Sequence, residues 1–104
     1  MKTHLTKEQS QRLMELGVPR EKASRKHIEL TLEEYRTFDL CDLLEILPKF
    51  VGQSGLDIHV IATGEWQAMF YAYHPSSKIA PELIDALYEL ACWYYWEFLK
   101  REKK

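Results

Sequence analysis

The residues of this chain that could do chemistry are four histidines (His4, His27, His59 and His74), two cysteines (Cys41 and Cys92) and a spread of carboxylates. Metal binding needs several such groups at a spacing that one loop or helix face can bring to a single ion. The chain has no HExxH, no Cys/His pairing at zinc spacing and no calcium-loop pattern, so no metal and no cofactor is expected. Gly52, Gly55 and Gly64 form neither GxxxxGK[ST] nor GxGxxG, which removes the phosphate-cradling loops. Nucleophilic catalysis would ask for a thiolate beside a base. Cys41 falls in the first turn of a helix, where the dipole favours a thiolate, but Asp39 and Asp42 flank it and oppose one. Cys92 falls near the edge of an apolar stripe, and both cysteines read as partly buried structural residues. Glu29, Glu33, Glu34, Asp39, Asp42 and Glu45 are accounted for by capping and solvation, which leaves no carboxylate pair for glycoside chemistry. His59 has the best surroundings of the histidines, on a strand face with Met69 and Tyr71, yet a solvated strand histidine is the simpler reading. Catalysis is not the expected role.

The elements that position these groups are legible from their caps and periods. Thr6-Lys7-Glu8-Gln9 is a capping box that opens a helix over 7–16. Gly17 closes it, Val18 folds back onto Leu13, and Pro19 prevents continuation. Asp39 caps a second, short helix with Asp42 at N3 and a staple from Phe38 to Leu43; its apolar set is Leu40, Leu43, Leu44 and Leu47, and Pro48 ends it. Residues 55–73 read as a β-hairpin. A three-residue loop, Ala62-Thr63-Gly64, pairs Val60 with Trp66, Ile58 with Ala68 and Leu56 with Phe70, which makes one face wholly apolar. After a loop at His74-Pro75-Ser76-Ser77, Pro81 suits N1 of a last helix running to about residue 100. Residues 20–36 hold a basic cluster (Arg20, Lys22, Arg25, Lys26). Ile28, Leu30 and Leu32 then alternate with polar neighbours, as in a short strand near 27–33, although Thr31-Leu32-Glu33-Glu34 also suits the start of a helical turn. The expected fold is a single α+β domain over 1–104, a small antiparallel sheet packed on one face by helices with a long C-terminal helix.

Composition sets outer bounds. At 104 residues, 46% apolar and 29% charged, the chain suits one ordinary globular core without staples. A net charge of −2 offers no global attraction to nucleic acid or to an anionic membrane. No apolar run approaches spanning length, the N-terminus lacks an export signal, and the cysteines are not spaced as a disulfide framework. A cytoplasmic protein with no membrane partner is the expectation.

Three stretches carry a resemblance: Leu5-Thr6-Lys7-Glu8-Gln9 through Glu15-Leu16-Gly17-Val18-Pro19, then Phe38-Asp39-Leu40-Cys41-Asp42-Leu43-Leu44-Glu45-Ile46-Leu47-Pro48-Lys49, then Glu82-Leu83-Ile84-Asp85-Ala86-Leu87-Tyr88-Glu89-Leu90. In that order the chain resembles small uncharacterised proteins of gut Bacteroidetes, often associated with phages or mobile elements. The resemblance omits residues 20–36 and rests on caps and core patterns. It implies a shared fold and such a setting, and no activity.

The last helix supplies the main functional expectation. At about 100° per residue, Leu83, Leu87, Leu90, Ala91, Tyr94 and Phe98 cluster on one side, while Trp93 and Trp96 fall opposite, among Glu82, Asp85 and Glu89. Two tryptophans off the core stripe suggest an interface, with another segment of the chain wrapped over them as the bland alternative. The first hypothesis is a non-catalytic interaction or adaptor protein, binding a protein partner or itself as a homo-oligomer through Trp93, Trp96 and Glu89. The second is a nucleic-acid accessory protein using Arg25 and Lys26 of segment 20–27 with the tail Lys100, Arg101, Lys103 and Lys104. The third is a small-molecule binder or enzyme at the outer hairpin face, where His59, Met69, Tyr71 and Tyr73 would lie.

Overall fold

The computed structural model describes residues 2–71 and 73–99, with backbone alone at Tyr73, His74 and Pro75. Helix α1 spans Lys7–Glu15, and its capping box forms as the sequence dictates: Gln9 N–H donates to Thr6 Oγ1 (3.1 Å) and Thr6 N–H donates to Gln9 Oε1 (3.0 Å). Gly17 takes φ +112°, so Val18 N–H reaches Leu13 O (3.0 Å) and Gly17 N–H reaches Met14 O (3.1 Å), the Schellman ending. Gln9 also donates to Asp85 Oδ1 (3.1 Å), which Lys2 Nζ pairs at 2.6 Å, so one capping residue also clips two helices together.

Helix α2, Leu40–Ile46, has Asp39 as N-cap. The buried Asp42 carboxylate accepts at Oδ2 from Asp39 N–H (2.9 Å), Ser24 N–H (2.9 Å) and the Ser24 hydroxyl (2.8 Å). At the other end the Ile46 carbonyl, which the helix leaves orphaned, accepts from the Tyr95 hydroxyl at 2.8 Å.

The sheet is antiparallel throughout. Strands β1 (Arg25–Ile28) and β2 (Glu34–Thr37) form a two-stranded ribbon; β3 (Phe50–Val51), β4 (Ser54–Val60), β5 (Trp66–Phe70) and β6 (Tyr73–Ala80) form a four-stranded sheet in sequence order. The β4–β5 register is the expected one, Val60 opposite Trp66, Ile58 opposite Ala68 and Leu56 opposite Phe70. Gly64 at φ +88° completes the three-residue turn, with Ile61 N–H donating to Glu65 O at 2.9 Å.

Two expectations about the strands are corrected. Residues 27–33 are not one strand: the chain leaves β1 at Ile28, turns through Leu30, Thr31 and Leu32, and returns as β2. The period-two pattern there follows a turn that leaves Ile28, Leu30 and Leu32 exposed. Residues 74–77 are not a loop but part of β6, an edge strand, the place in a sheet where proline is tolerated. A bulge there is closed by Phe70 N–H donating to Ser76 Oγ at 2.9 Å.

Helix α3, Leu83–Trp93, continues as a π-helical turn over Tyr94–Phe98. Glu82 is its N-cap, so Pro81 stands just before the cap and not at N1. It packs on β5 and β6 and against α1 and α2. The core joins Leu5, Leu13, Phe38, Leu43, Ala68, Phe70, Ile84, Leu87 and Leu90, all buried.

Candidate functional site

Trp93 is in the core, 6% exposed, which corrects its placement opposite the apolar stripe. The buried residues of α3 are Ile84, Ala86, Leu87, Leu90, Ala91 and Trp93, an arc of about 180° on the helical wheel. That is wider than one face needs, because α3 is wedged between the sheet and the other two helices. Trp93 lies next to Ala86 on the flank of this arc. The π turn does the rest: i→i+5 bonding brings residues five apart toward the same side, so Phe98 comes to 5.7 Å from Trp93 between ring centroids. Phe70 meets Trp93 from the sheet at 6.2 Å.

Trp96 and Glu89 do stay on the surface, Trp96 at 48% exposure. Together with Trp93 they line a groove of about 390 Å³ between the C-terminal half of α1 and α3. Arg12 comes from α1 and Leu16 from its C-cap, Tyr88 and Cys92 from α3, and the charged side chains of Lys78 and Glu97 complete the lining. The Arg12 guanidinium lies over the Trp96 ring, 5.7 Å from its centroid, a cation–π contact that holds the indole in place. Sequence reasoning reached three of these residues and missed those that only α1–α3 packing brings in.

Two of the groove's ionisable groups are shifted by their surroundings. Burial pushes the Cys92 thiol up, against a hydrogen bond from Tyr88 that pulls it down. Burial, helped by Cys92, pushes the Tyr88 phenol up to about 12. Both are protonated at neutral pH, so no thiolate is on offer. Cys41 is exposed, not partly buried as its helix position suggested.

The outer face of the hairpin carries His59 and Met69, both partly buried, and Tyr71, which is exposed. His59 Nδ1 lies 3.1 Å from Asp57 Oδ2 on the same strand face. On the neighbouring strand Gln67 lies opposite His59 and donates to Ser77 Oγ at 2.6 Å. An Asp–His–Ser set is thus named by residue type but not by geometry: Ser77 is two strands from His59, about 10 Å at normal sheet spacing, beyond reach of its imidazole. The Tyr73 and His74 side chains and the tail Lys100, Arg101, Lys103 and Lys104 lie outside the described residues. Among the described residues, no three His, Cys, Asp or Glu side chains gather as metal ligands, and no helix is long and apolar enough to cross a membrane.

A second surface went unread in the sequence. Leu30 and Leu32 are exposed at 105% and 84%, and Ile28 at 73%, all at the tip of the β1–β2 ribbon. The ribbon is held to α1 by the Lys7–Glu29 ion pair and by Lys7 lying 5.0 Å over the Tyr35 ring. His27 stacks on Tyr35 at 4.8 Å and bonds Thr37 Oγ1 (2.8 Å), which uses that histidine structurally. Arg25 and Lys26, nearer the base, are exposed, and Arg25 lies 3.5 Å from Asp39. A sequence signal for this turn existed: Leu30-Thr31-Leu32-Glu33 parallels Ala62-Thr63-Gly64-Glu65, the turn the hairpin pattern identifies.

The chain matches no protein family model, no curated protein and no solved structure.

Proposed function

We propose that this protein is a small, non-catalytic interaction module that seats apolar side chains of a protein partner in the groove around Trp96. The observation that carries this is a half-exposed tryptophan, fixed by Arg12, over an open groove walled by Leu16, Tyr88 and Cys92. Anchored aromatics beside arginine are what binding hot spots are made of. A cytoplasmic setting in a phage or mobile element is part of the proposal, the latter as the resemblance carried by segments 5–19, 38–49 and 82–90 implies. The test compares the chain with Trp96→Ser in affinity capture from its native host and in solution-mass measurements. A bound or self-associated species should be kept by the native chain and lost by the variant; equal retention would overturn the reading.

A second reading has one observation of its own: Arg20, Lys22, Arg25 and Lys26 are all exposed along the approach to the ribbon. Used on nucleic acid, they would give binding that falls steeply with added salt and on neutralising Arg25 and Lys26. Salt-insensitive or absent binding removes it.

A further inference from the structure

The register of the β1–β2 ribbon sorts its charges onto two faces. Arg25, His27, Tyr35 and Thr37 share the face turned to the body of the fold, where Thr37 is buried and Arg25 lies 3.5 Å from Asp39. Lys26, Ile28, Glu34 and Arg36 share the other face, which looks to solvent: Lys26, Ile28 and Glu34 are all exposed. On that face Lys26 and Arg36 stand directly opposite each other. Like charges so placed destabilise a ribbon unless something negative comes between them. Arg36 has a further deficit. Its Nε–H is buried and has no hydrogen-bond acceptor among the described residues, although buried polar groups are normally paired. The carboxylate that faces it is Glu34, two residues away on the same strand, and Oε1 at 3.7 Å is too far to accept a hydrogen bond.

We infer that Lys26 and Arg36 form a phosphate-binding site on the solvent face of the ribbon, and that its ligand is the backbone of a nucleic-acid strand. This deepens the second reading above and rests on it, with Arg36 in place of Arg25 as the partner of Lys26. A phosphate supplies what the pair lacks: acceptors for the guanidinium fork and a negative charge between two cations. The way in is open. The Arg36 side chain keeps 21% exposure, and the long, exposed side chains of Lys26 and Glu34 flank it. An oxyanion enters between them and displaces the Glu34 carboxylate, which holds Arg36 only at ion-pair range. A ribbon face does not enclose a free ion. It suits one phosphate of a strand whose neighbouring phosphates meet other cations, and Arg20 and Lys22, exposed in the short turn that leads into β1, extend the positive charge. Arg25, turned to Asp39 on the opposite face, contributes least. The contact is to backbone alone and carries no sequence preference.

The test is fluorescence anisotropy of a labelled single-stranded oligothymidylate with the full-length chain, over a salt series from about 20 to about 200 mM. The native chain should bind, and its affinity should fall as salt rises. Arg36→Gln should weaken binding about tenfold and Lys26→Gln at least about threefold. Each should also lower the salt slope by about 0.7, the share of one single-strand phosphate. Arg25→Gln should cost less than either. Glu34→Gln is the deciding arm: removing the competing carboxylate from an exposed position should tighten binding at least about twofold. Circular dichroism shows that the variants keep the fold. In proton–nitrogen correlation spectra the Arg36 Nε–H signal should move when the strand is added. An Arg36→Gln or Lys26→Gln variant that binds like the native chain, or a Glu34→Gln variant that binds no tighter, would overturn the site. The nucleic-acid reading stands if salt-dependent binding is instead lost with Arg25→Gln. Saturation of the Nε–H shift by inorganic phosphate below about 1 mM would make a free ion the ligand and overturn the strand. A native chain that leaves the oligonucleotide unbound even at about 20 mM salt would remove both the site and that reading.

Discussion

Leu32 and Gly64, the third residues of two like turns at φ +67° and φ +88°, show what one side chain costs when its backbone is already decided. The left-handed conformation is worth about 1–2 kcal/mol against a non-glycine residue, and glycine gives back part of this through its freer unfolded chain. Leu32→Gly should therefore raise stability by about 0.5–1 kcal/mol, seen as a higher urea midpoint at unchanged slope. A loss of stability would mean that Leu32 packs inside the chain. Tyr88 has a different signature. Its phenol is pushed up to about 12 from 10.0, and burial moves Tyr94 and Tyr95 the same way. In that window the unfolded chain has lost protons that the folded chain keeps, so stability falls as pH rises from about 10 toward 12. It is fully present below pH 10. Tyr88→Phe should flatten part of this alkaline decline in pH-dependent thermal melts.

At the scale of an element, α2 depends on its first turn more than on its length. Seven residues are too few to hold a helix alone, and the Asp39–Asp42–Ser24 network joins it to the start of the ribbon. Partial burial pushes the Asp39 carboxyl up, but the Asp42 N–H, the Ser24 hydroxyl and Arg25 together outweigh it and hold it below 3.8. That stabilisation is present above pH 3.8 and is lost as pH falls through the lower folded value. Asp42→Ala leaves the Ser24 and Asp39 N–H groups without their acceptor, the Ser24 hydroxyl keeping Asp39 at 3.2 Å, and should cost about 2–3 kcal/mol. Asp39→Asn keeps a capping oxygen and should cost less than about 1 kcal/mol. Chemical denaturation of the two variants side by side checks the order; a harmless Asp42→Ala would show that water serves those donors as well.

The described residues form a flat body, 46 × 38 × 17 Å, with one layer of helices on the sheet and the ribbon held against α1. In a layer this thin, α3 has neighbours on its flanks as well as beneath it, and that is what draws Trp93 inside while Trp96 stays at the surface. The pair gives a direct test. Trp93→Ala should cost about 3–5 kcal/mol through the cavity it opens, and Trp96→Ala less than about 1 kcal/mol. Equal costs in denaturant melts would place both rings in the same environment.

Local chemistry was enough to write the Thr6–Gln9 capping box, the Asp39 N-cap, the Gly17 ending and the β4–β5 register. Each depends on residues within a few positions of one another: a hydroxyl or carboxylate reaching a nearby N–H, a glycine reaching positive φ, an alternation that only one turn length makes consistent. The ribbon was missed because Ile28, Leu30 and Leu32 imitate a buried strand while serving an exposed turn, and pattern alone does not say which way a face looks. Edge strand β6 was missed because its Pro and Ser residues mimic a loop until a neighbouring strand supplies the partners. The site itself was half legible. Trp96 and Glu89 follow from helical angle, but Trp93 depends on which elements flank α3, and Arg12, Leu16 and Lys78 reach the groove only through packing between segments far apart in the chain. Helical period says which residues share a side; only the packed neighbours decide how much of the circumference is buried.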